Sequence, residues 1–517
     1  MVARGLEQIL EREEALLGSD KAVLERLEAD FRLVDEAHCA GNGQALAWQL
    51  SERWSLGLMD WPDEAVALKK LLKASHTSAR ELTDQAPHLV KALAPVWLAT
   101  PYNVHEIPDT VRFDTVMVLD AGALAVVEVL GAVRRAPQLV AMGDPVTQTP
   151  TAFSLGLRSY ETAERTDRDA QHQESIFARL RDLLPTFSLT RSYRVSGDDL
   201  STVVNSSFLG EQVRSLPWAG SLLGHPAIAM DLVEDGQGMP DATTGLVEGV
   251  DAEVRAVLQH VMDHAMARSA ESLMVITASA IHARKVREAV AEAMARKPDI
   301  TDFFTRDSSE PFVVTTLEQA GSLIRDRVVF SLGYGRTPHG RVLSDLGPLS
   351  QPGGERLLAA AFTSARRHLR VVTCVAVNDL RDARLSQTTR ALGDVLERVS
   401  AARFAPVQEK ERDPLLVDLA RRLEAKGMRV EVDYQGQIPL AASFGGYCIA
   451  LDTDTSLMHQ SVRDALRVRP LGLAAAGWHY VRAHALELFT TPDVVAQRIA
   501  TLVGAASSQS DVADKNV

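Results

Sequence analysis

Val116-Met-Val-Leu-Asp120-Ala121-Gly122-Ala123 is followed shortly by Leu139-Val-Ala-Met-Gly143-Asp144-Pro145. Each stretch is an apolar run ending in aspartate. A run of that kind reads as a strand buried on both faces of a parallel sheet. It carries its carboxylate to the sheet's carboxyl edge, where open α/β sheets bind ligands. The pair therefore assigns this part of the chain to an α/β architecture.

Outward from this pair the character of the chain changes several times. Residues 1–93 read as helices: Leu6, Ile9 and Leu10, then Val23, Leu24 and Leu27, keep three-and-four spacing among Glu and Arg. From residue 94 apolar runs alternate with helical stretches. Strands are expected at 96–99, 116–119 and 139–142, a surface segment at 161–173, and a helix at 176–184. A second α/β unit spans 187–400, with strands at 273–277, 312–316, 328–332 and 369–374 and helices at 251–267 and 281–296. Its Gly- and Pro-rich connection, 333–354, is long enough to suggest a functional loop. A third unit, 410–504, opens with a helix over 415–426 and has strands at 430–432 and 447–451. Residues 505–517 read as a disordered tail.

The 517 residues exceed what one core can organise, and a hydrophobic content of 46% with 24% charged residues is that of an ordinary globular protein. No apolar run approaches the ~20 residues that cross a bilayer. The amino terminus lacks the apolar core of a signal peptide, so a cytoplasmic location is expected. Cys39, Cys374 and Cys448 lack metal-ligand spacing. The net charge of −13 opposes broad contact with a phosphate backbone, so any nucleic acid should lie in a groove.

The motifs fall in a recognisable order. Phe113-Asp-Thr-Val-Met-Val-Leu-Asp120-Ala is followed by Gly143-Asp-Pro-Val-Thr-Gln-Thr-Pro150. Next comes Leu189-Thr-Arg-Ser-Tyr193-Arg194, with Asn205 and Phe208 downstream, then Phe330-Ser-Leu-Gly-Tyr-Gly-Arg336 and Thr363-Ser-Ala-Arg366-Arg367. Together they resemble the motor of superfamily 1 helicases of the Upf-like branch, over rather more than half the chain. The resemblance implies two RecA-like lobes of the P-loop-NTPase type, 94–186 and 187–400, preceded by the helical region. It also implies Mg²⁺ and ATP as cofactors. Asp120, Asp144, Tyr193, Arg194 and Arg366 are the residues through which a nucleotide would still be held. The alternative is that they are strand-end and core-edge residues kept by the fold.

The departures from that family are as informative as the matches. No Gly-x-x-x-x-Gly-Lys-Ser/Thr phosphate loop occurs in the chain. Ala121 stands where the family has the glutamate that prepares water. Thr147 aligns with its γ-phosphate-sensing glutamine, and Gly321-Ser-Leu-Ile324 aligns with a later Gln-Gly-x-Glu element, leaving only Asp326. Ser364 aligns with an arginine of a kind worth roughly 10³–10⁵ in rate. A helicase-like Asp35-Glu-Ala-His38 string lies in a helix-patterned segment without a preceding strand and reads as chance.

The third unit contains Tyr447-Cys-Ile-Ala-Leu-Asp452-Thr-Asp454 through His459, then Arg463-Asp464 and Gly477-Trp478. This resembles the restriction-endonuclease-like PD-(D/E)XK domain that ends many such helicases. The resemblance makes Asp452, Asp454 and His459 candidates for a reduced catalytic site, with Asp452 and Asp454 as metal ligands for Mg²⁺. The family's first aspartate aligns with 438–441, which contains no acid. The bland reading is that the two aspartates end a strand and a turn.

The expected architecture is thus α/β: a helical region, two RecA-like lobes and a small nuclease-like domain. The expected function is a degenerate helicase–nuclease relative that binds nucleic acid or a partner, such as an active helicase encoded elsewhere, without hydrolysis and away from membranes. The competing reading is an active enzyme, either the carboxyl-terminal part of a split helicase or a metal-dependent nuclease.

Overall fold

The structure, a computed structural model, describes residues 21–74, 76–150, 174–192, 197–242, 244–321, 323–351, 353–381, 385, 387–401, 413–457 and 460–505. The segment expected at 161–173 and residues 506–517 lie outside these. Two compact units divide the chain, residues 26–187 and residues 188–517 with 1–25.

The first unit begins with helices α1 (Lys21–Asp60), α2 (Pro62–Leu71), α3 (Ala79–Gln85) and α4 (Pro87–Leu93). Asp35-Glu-Ala-His38 lies within α1, on a helix and not at a sheet edge. Ser78 and Glu81 form a capping box that starts α3. Helix α4 begins after Ala86, which has no capping side chain, and Glu64 of α2 supplies the cap by accepting the N–H groups of His88 and Leu89. Leu68, Ala86, Leu89 and Val90 close the core between these helices.

The strand expected at 96–99 does not form. That stretch has no strand partner, and Val96 and Leu98 are exposed; an apolar run alone cannot make a strand without a ladder to join. Beyond it come β1 (Thr115–Val118), α5 (Val126–Val133), β2 (Gln138–Ala141) and α6 (Ile176–Arg181). Strands β1 and β2 are parallel, with Thr115 opposite Gln138. Val118, Ala121, Val129 and Ile176 pack α5 and α6 against one face of the pair.

The second unit holds two larger sheets. A short parallel pair, β3 (Arg191–Ser192) and β4 (Arg214–Ser215), flanks α7 (Asp198–Phe208). A five-stranded sheet follows, built from β5 (Ile228–Leu232), β6 (Leu273–Thr277), β7 (Val313–Thr316), β8 (Arg325–Ser331) and β9 (Ala365–Thr373). All its pairings are parallel, in the order β5-β9-β8-β6-β7. Its connections include α8 (Asp251–Ala267), α9 (Ala280–Arg296), α10 (Thr301–Thr305) and α11 (Gly354–Thr363), and α12 (Gln387–Ala401) follows it.

Alternate residues of each central strand enter opposite cores. Leu273, Val275, Val329 and Val372 pack with Val257 of α8, Val286 of α9 and Phe303 of α10. Met274, Ile276, Phe330 and Val371 pack with Leu200 of α7, Phe362 of α11 and Leu396 of α12. Burial on both faces is why β6 reads as an uninterrupted apolar run.

The chain then forms α13 (Pro414–Glu424), β10 (Arg429–Tyr434), β11 (Ile438–Phe444), β12 (Tyr447–Thr453), α14 (Arg469–Ala475), β13 (His479–Ala483), α15 (Ala485–Thr490) and α16 (Pro492–Leu502). The sheet order is β10-β11-β12-β13, with the last pair parallel. One face packs on α13 and α16 through Leu440, Leu451, Leu419 and Ile499. The other packs on α14 and on residues 216–222, through Ala441, Ala450, Leu473, Trp478, Leu216 and Leu222. Trp478 Nε1 donates to the Pro217 carbonyl at 2.7 Å, which ties the two sheets' domains together. Among the described residues no helix is long and apolar enough to cross a membrane.

Candidate functional site

Asp120 and Asp144 meet at the carboxyl edge of β1 and β2. Asp120 has φ 52°, a left-handed conformation that aspartate tolerates better than most side chains. Its Oδ1 accepts a 2.8 Å hydrogen bond from Gln148 Nε2, and Gln148 Oε1 accepts the Asp144 N–H at 3.0 Å. The Asp144 carboxylate is taken up locally by the Val146 N–H at 2.8 Å and the Thr147 hydroxyl at 2.6 Å. Gly122 makes this possible: a Cβ there would lie 2.7 Å from the Gln148 Cβ and 3.0 Å from the Asp144 carbonyl oxygen.

Gln148 is the residue that sequence reading passed over. Aligning Thr147 with the expected glutamine hid a glutamine one position later, and that one-residue offset was its signal. Neither aspartate pairs with a lysine or arginine among the described residues. With no phosphate loop in the sequence, three engaged carboxylate oxygens and no cation paired to them among the described residues, the site as described does not fit ATP with Mg²⁺. Ala121 is wholly buried, and its N–H donates to the Met142 carbonyl at 2.8 Å.

Tyr193 and Arg194 lie outside the described residues. Arg366 starts β9, at the amino edge of the five-stranded sheet and away from the edge where such sheets bind ligands. It forms an ion pair with Glu310 and a 3.2 Å contact with Asp326. The Arg366 hydrogen bond holds Glu310 below the usual carboxylate range. Ser364 is buried, with its hydroxyl donating to the Ala360 carbonyl at 2.7 Å.

The carboxyl edge of the five-stranded sheet is closed by the chain itself. The loop after β5 and the loop after β8 are zipped by backbone bonds: Gly238 N–H to Arg336 O, Arg336 N–H to Gly236 O, Gly335 N–H to Val247 O and Gly249 N–H to Gly333 O, at 2.9–3.0 Å. Residues 333–336 of the connection 333–354 are therefore turned inward, while residues 338–341 stay exposed. The crossover connections run in opposite directions after β6 and after β8, the position at which an open α/β sheet has its ligand crevice. Here that position holds a buried polar network.

Glu253 Oε1 accepts from the Ser331 hydroxyl at 2.6 Å and the Gly333 N–H at 2.8 Å, while His282 Nε2 lies 2.8 Å from Ser331 Oγ. Glu253, His282 and Ser331 are all 0% exposed. Glu253 Oε2 and His282 Nδ1 have no hydrogen bond of ordinary geometry among the described residues, and the Cys374 thiol lies against the same carboxylate. Burial pushes the Glu253 carboxyl up to about 7 and the His282 imidazole down to about 4. Gly333, at φ 77°, is required because a Cβ there would come within 2.9 Å of the His282 Cβ. Ser, His and Glu occur together, but with no exposed atom they can serve only the interior.

At the carboxyl-terminal sheet, Asp452 and Asp454 follow one another out of β12. Asp452 is 0% exposed and both its oxygens are held by Arg469, Oδ2 by Nε at 2.6 Å and Oδ1 by a terminal nitrogen at 2.8 Å. Asp454 Oδ1 accepts the Ala485 N–H at 2.8 Å, at the start of α15. His459 lies outside the described residues. Among the described residues no cluster of three His, Cys, Asp or Glu side chains could hold a metal. The structure thus brings Asp452 and Asp454 to one strand end, but engages both. They do not fit an Mg²⁺ site as they stand.

No protein-family model and no curated protein sequence matches the chain. Among solved structures, it is similar to the C-terminal domain of a possible DNA helicase from Lactobacillus plantarum WCFS1, at 14% identity, covering 38% of this chain and 92% of that one, with a TM-score of 0.20. It is also similar to the HK97 bacteriophage large terminase, at 10% identity, covering 51% of this chain and 67% of that one, with a TM-score of 0.23. At those scores neither likeness bears on activity, and the functional reading rests on the chain's own residues.

Proposed function

We propose that the chain is a non-hydrolysing scaffold of helicase–nuclease type, with two RecA-like lobes and a nuclease-like domain, that holds nucleic acid in a groove. The observation that carries this reading is the bidentate Arg469–Asp452 pair. The carboxylate best placed to bind a catalytic metal is fully buried and neutralised by a guanidinium of the same chain. Asp120 supports the same reading, since its hydrogen-bonding partner is Gln148 and it forms no ion pair with a cationic side chain among the described residues.

The test uses the purified full chain with single-stranded DNA at low ionic strength, where phosphate contacts are strongest. The expected result is binding that weakens steeply with added salt, without ATP turnover and without cleavage in Mg²⁺ or Mn²⁺. ATP hydrolysis abolished by Asp120→Ala, or DNA cleavage abolished by Asp452→Asn, would sink the reading. Absence of any binding at low salt would redirect it to a protein-only scaffold.

A further inference from the structure

The carboxyl-terminal site carries more than a missing activity. An aspartate carboxylate with no exposed surface is costly to bury unless a cation and hydrogen bonds replace water. Arg469 supplies both. Its planar fork meets the two Asp452 oxygens, and the same guanidinium donates to the Gln437 carbonyl at 2.6 Å.

Two features of the fold fix that guanidinium. The first is a π-turn over Asp464–Val468, immediately before Arg469 and Pro470, in which the Arg469 N–H bonds to the Asp464 carbonyl. Pro470 has no N–H to give an α-helix, and the wider turn absorbs that loss. The second is the β10–β11 turn, where Asp433, Gln435 and Gly436 have φ values of 57°, 53° and 65°. Left-handed backbone at a glutamine persists only where surrounding contacts hold it. Here Gln435 Nε2 donates to Asp198 Oδ2 at 2.5 Å, and Asp198 is itself bonded by the Trp218 N–H at 2.9 Å, at the start of α7 in the neighbouring domain. The turn so anchored presents Gln437 O to Arg469.

We infer that Arg469 is the resident counter-cation of Asp452, standing in for a metal ion and closing this acidic site to divalent cations, with its position set by the Asp198-anchored turn. The inference deepens the non-hydrolysing reading and rests on it. It also makes a distinct claim: the site is closed because an arginine fills it, and removing that arginine opens it.

The probe is Mn²⁺ alone, added to the full chain, with thermal melting and Mn²⁺ electron paramagnetic resonance as readouts. The wild type should neither bind Mn²⁺ at Asp452 nor change its melting temperature. Arg469→Met should melt lower and should gain roughly 5 °C when Mn²⁺ reaches ~100 times its dissociation constant. The double variant Arg469→Met with Asp452→Asn should fold and show no response to Mn²⁺. A folded Arg469→Met protein that ignores Mn²⁺ overturns the inference, as does wild-type Mn²⁺ binding that Asp452→Asn removes. Should Arg469→Met fail to fold, the double variant decides. Recovery of folding supports the counter-cation role, and continued failure makes Arg469 a packing residue and overturns it. Wild-type DNA cleavage would instead defeat the non-hydrolysing reading, so the two failures are distinguishable.

Discussion

Replacing Glu253 by glutamine should remove a proton-linked term from the stability of the second unit. The carboxyl is wholly buried, and burial pushes it from an ordinary 4.5 up to about 7. The folded state therefore holds a proton that the unfolded chain releases. That contribution is fully present below pH 4.5, falls as pH rises towards 7, and is flat above. Two and a half pH units at ~1.4 kcal/mol each make it about 3 kcal/mol. His282, joined to Glu253 through Ser331, works in the opposite sense. Its folded value of about 4, against an ordinary 6.5, gives stability that is present above pH 6.5 and lost as pH falls through 4. The two slopes oppose between pH 4.5 and 6.5, so the wild-type curve hides both. The difference between variant and wild type exposes the glutamate alone. Urea unfolding of wild type and Glu253→Gln at intervals from pH 4.5 to 8 should show the variant gaining about 3 kcal/mol on the wild type by pH 7, then no more. A buried amide nitrogen adds a constant penalty of about 1–3 kcal/mol, which shifts the difference without changing its slope. A difference that stays constant across the range would refute the argument, because Glu253 would then not change its proton affinity on folding.

Two further substitutions probe the packing around the candidate sites. Trp478→Ala removes a side chain 3% exposed that binds the Pro217 carbonyl and fills the space between the carboxyl-terminal sheet and residues 216–222; it should cost about 3–5 kcal/mol in urea unfolding, and a loss under ~1 kcal/mol would mean that interface is not tightly packed. Gly122→Ala would drive a methyl into Gln148 and the Asp144 carbonyl and should destabilise the first unit by about 1–3 kcal/mol, read as a lower melting temperature, whereas an unchanged melting temperature would show that the Asp120–Gln148–Asp144 arrangement is not held tightly.

The elements most legible in the sequence were those whose burial is simplest. Strand β6 was readable to the residue because both its faces are covered, so every position is buried and the first four are apolar. Strand β5, Ile-Ala-Met-Asp-Leu, was missed because it is an edge strand carrying Asp231, whose carboxylate pairs with Arg370 and His260. Strand β11 was not among the expected strands, and it carries Pro439, a residue unfavourable inside a strand. In the structure Pro439 precedes the point where pairing with β12 begins, at Leu440, so its missing N–H costs no bond to that strand. The stretch 96–99 misled in the opposite direction, since its apolar character has no ladder to join. Asp120, Asp144, Asp452 and Asp454 were identifiable because strand ends are local features. Glu253 and Arg469 were not, because their roles depend on partners 78 and 17 residues away, and Gln148 offered only its one-position offset from Thr147. No spacing rule connects an aspartate ending a strand to an arginine in the helix that follows.

These hidden partners share a physical logic. The carboxyl edge of a parallel sheet gathers polar groups that a ligand would satisfy. Without a ligand, a buried charge left alone costs several kcal/mol, enough to threaten a fold of ordinary stability. A site that merely lost catalytic groups would carry that deficit. In this chain the edge groups meet internal partners: Gln148 beside the exposed Asp120, a closed loop pair over the buried Glu253–Ser331–His282 network, and Arg469 on the buried Asp452. The partners differ in kind: an amide, a buried hydroxyl–imidazole hydrogen-bond network and a guanidinium. The polar groups at these edges stabilise the fold, and a glutamate placed at Ala121, which has no exposed surface, would add a buried charge without a partner.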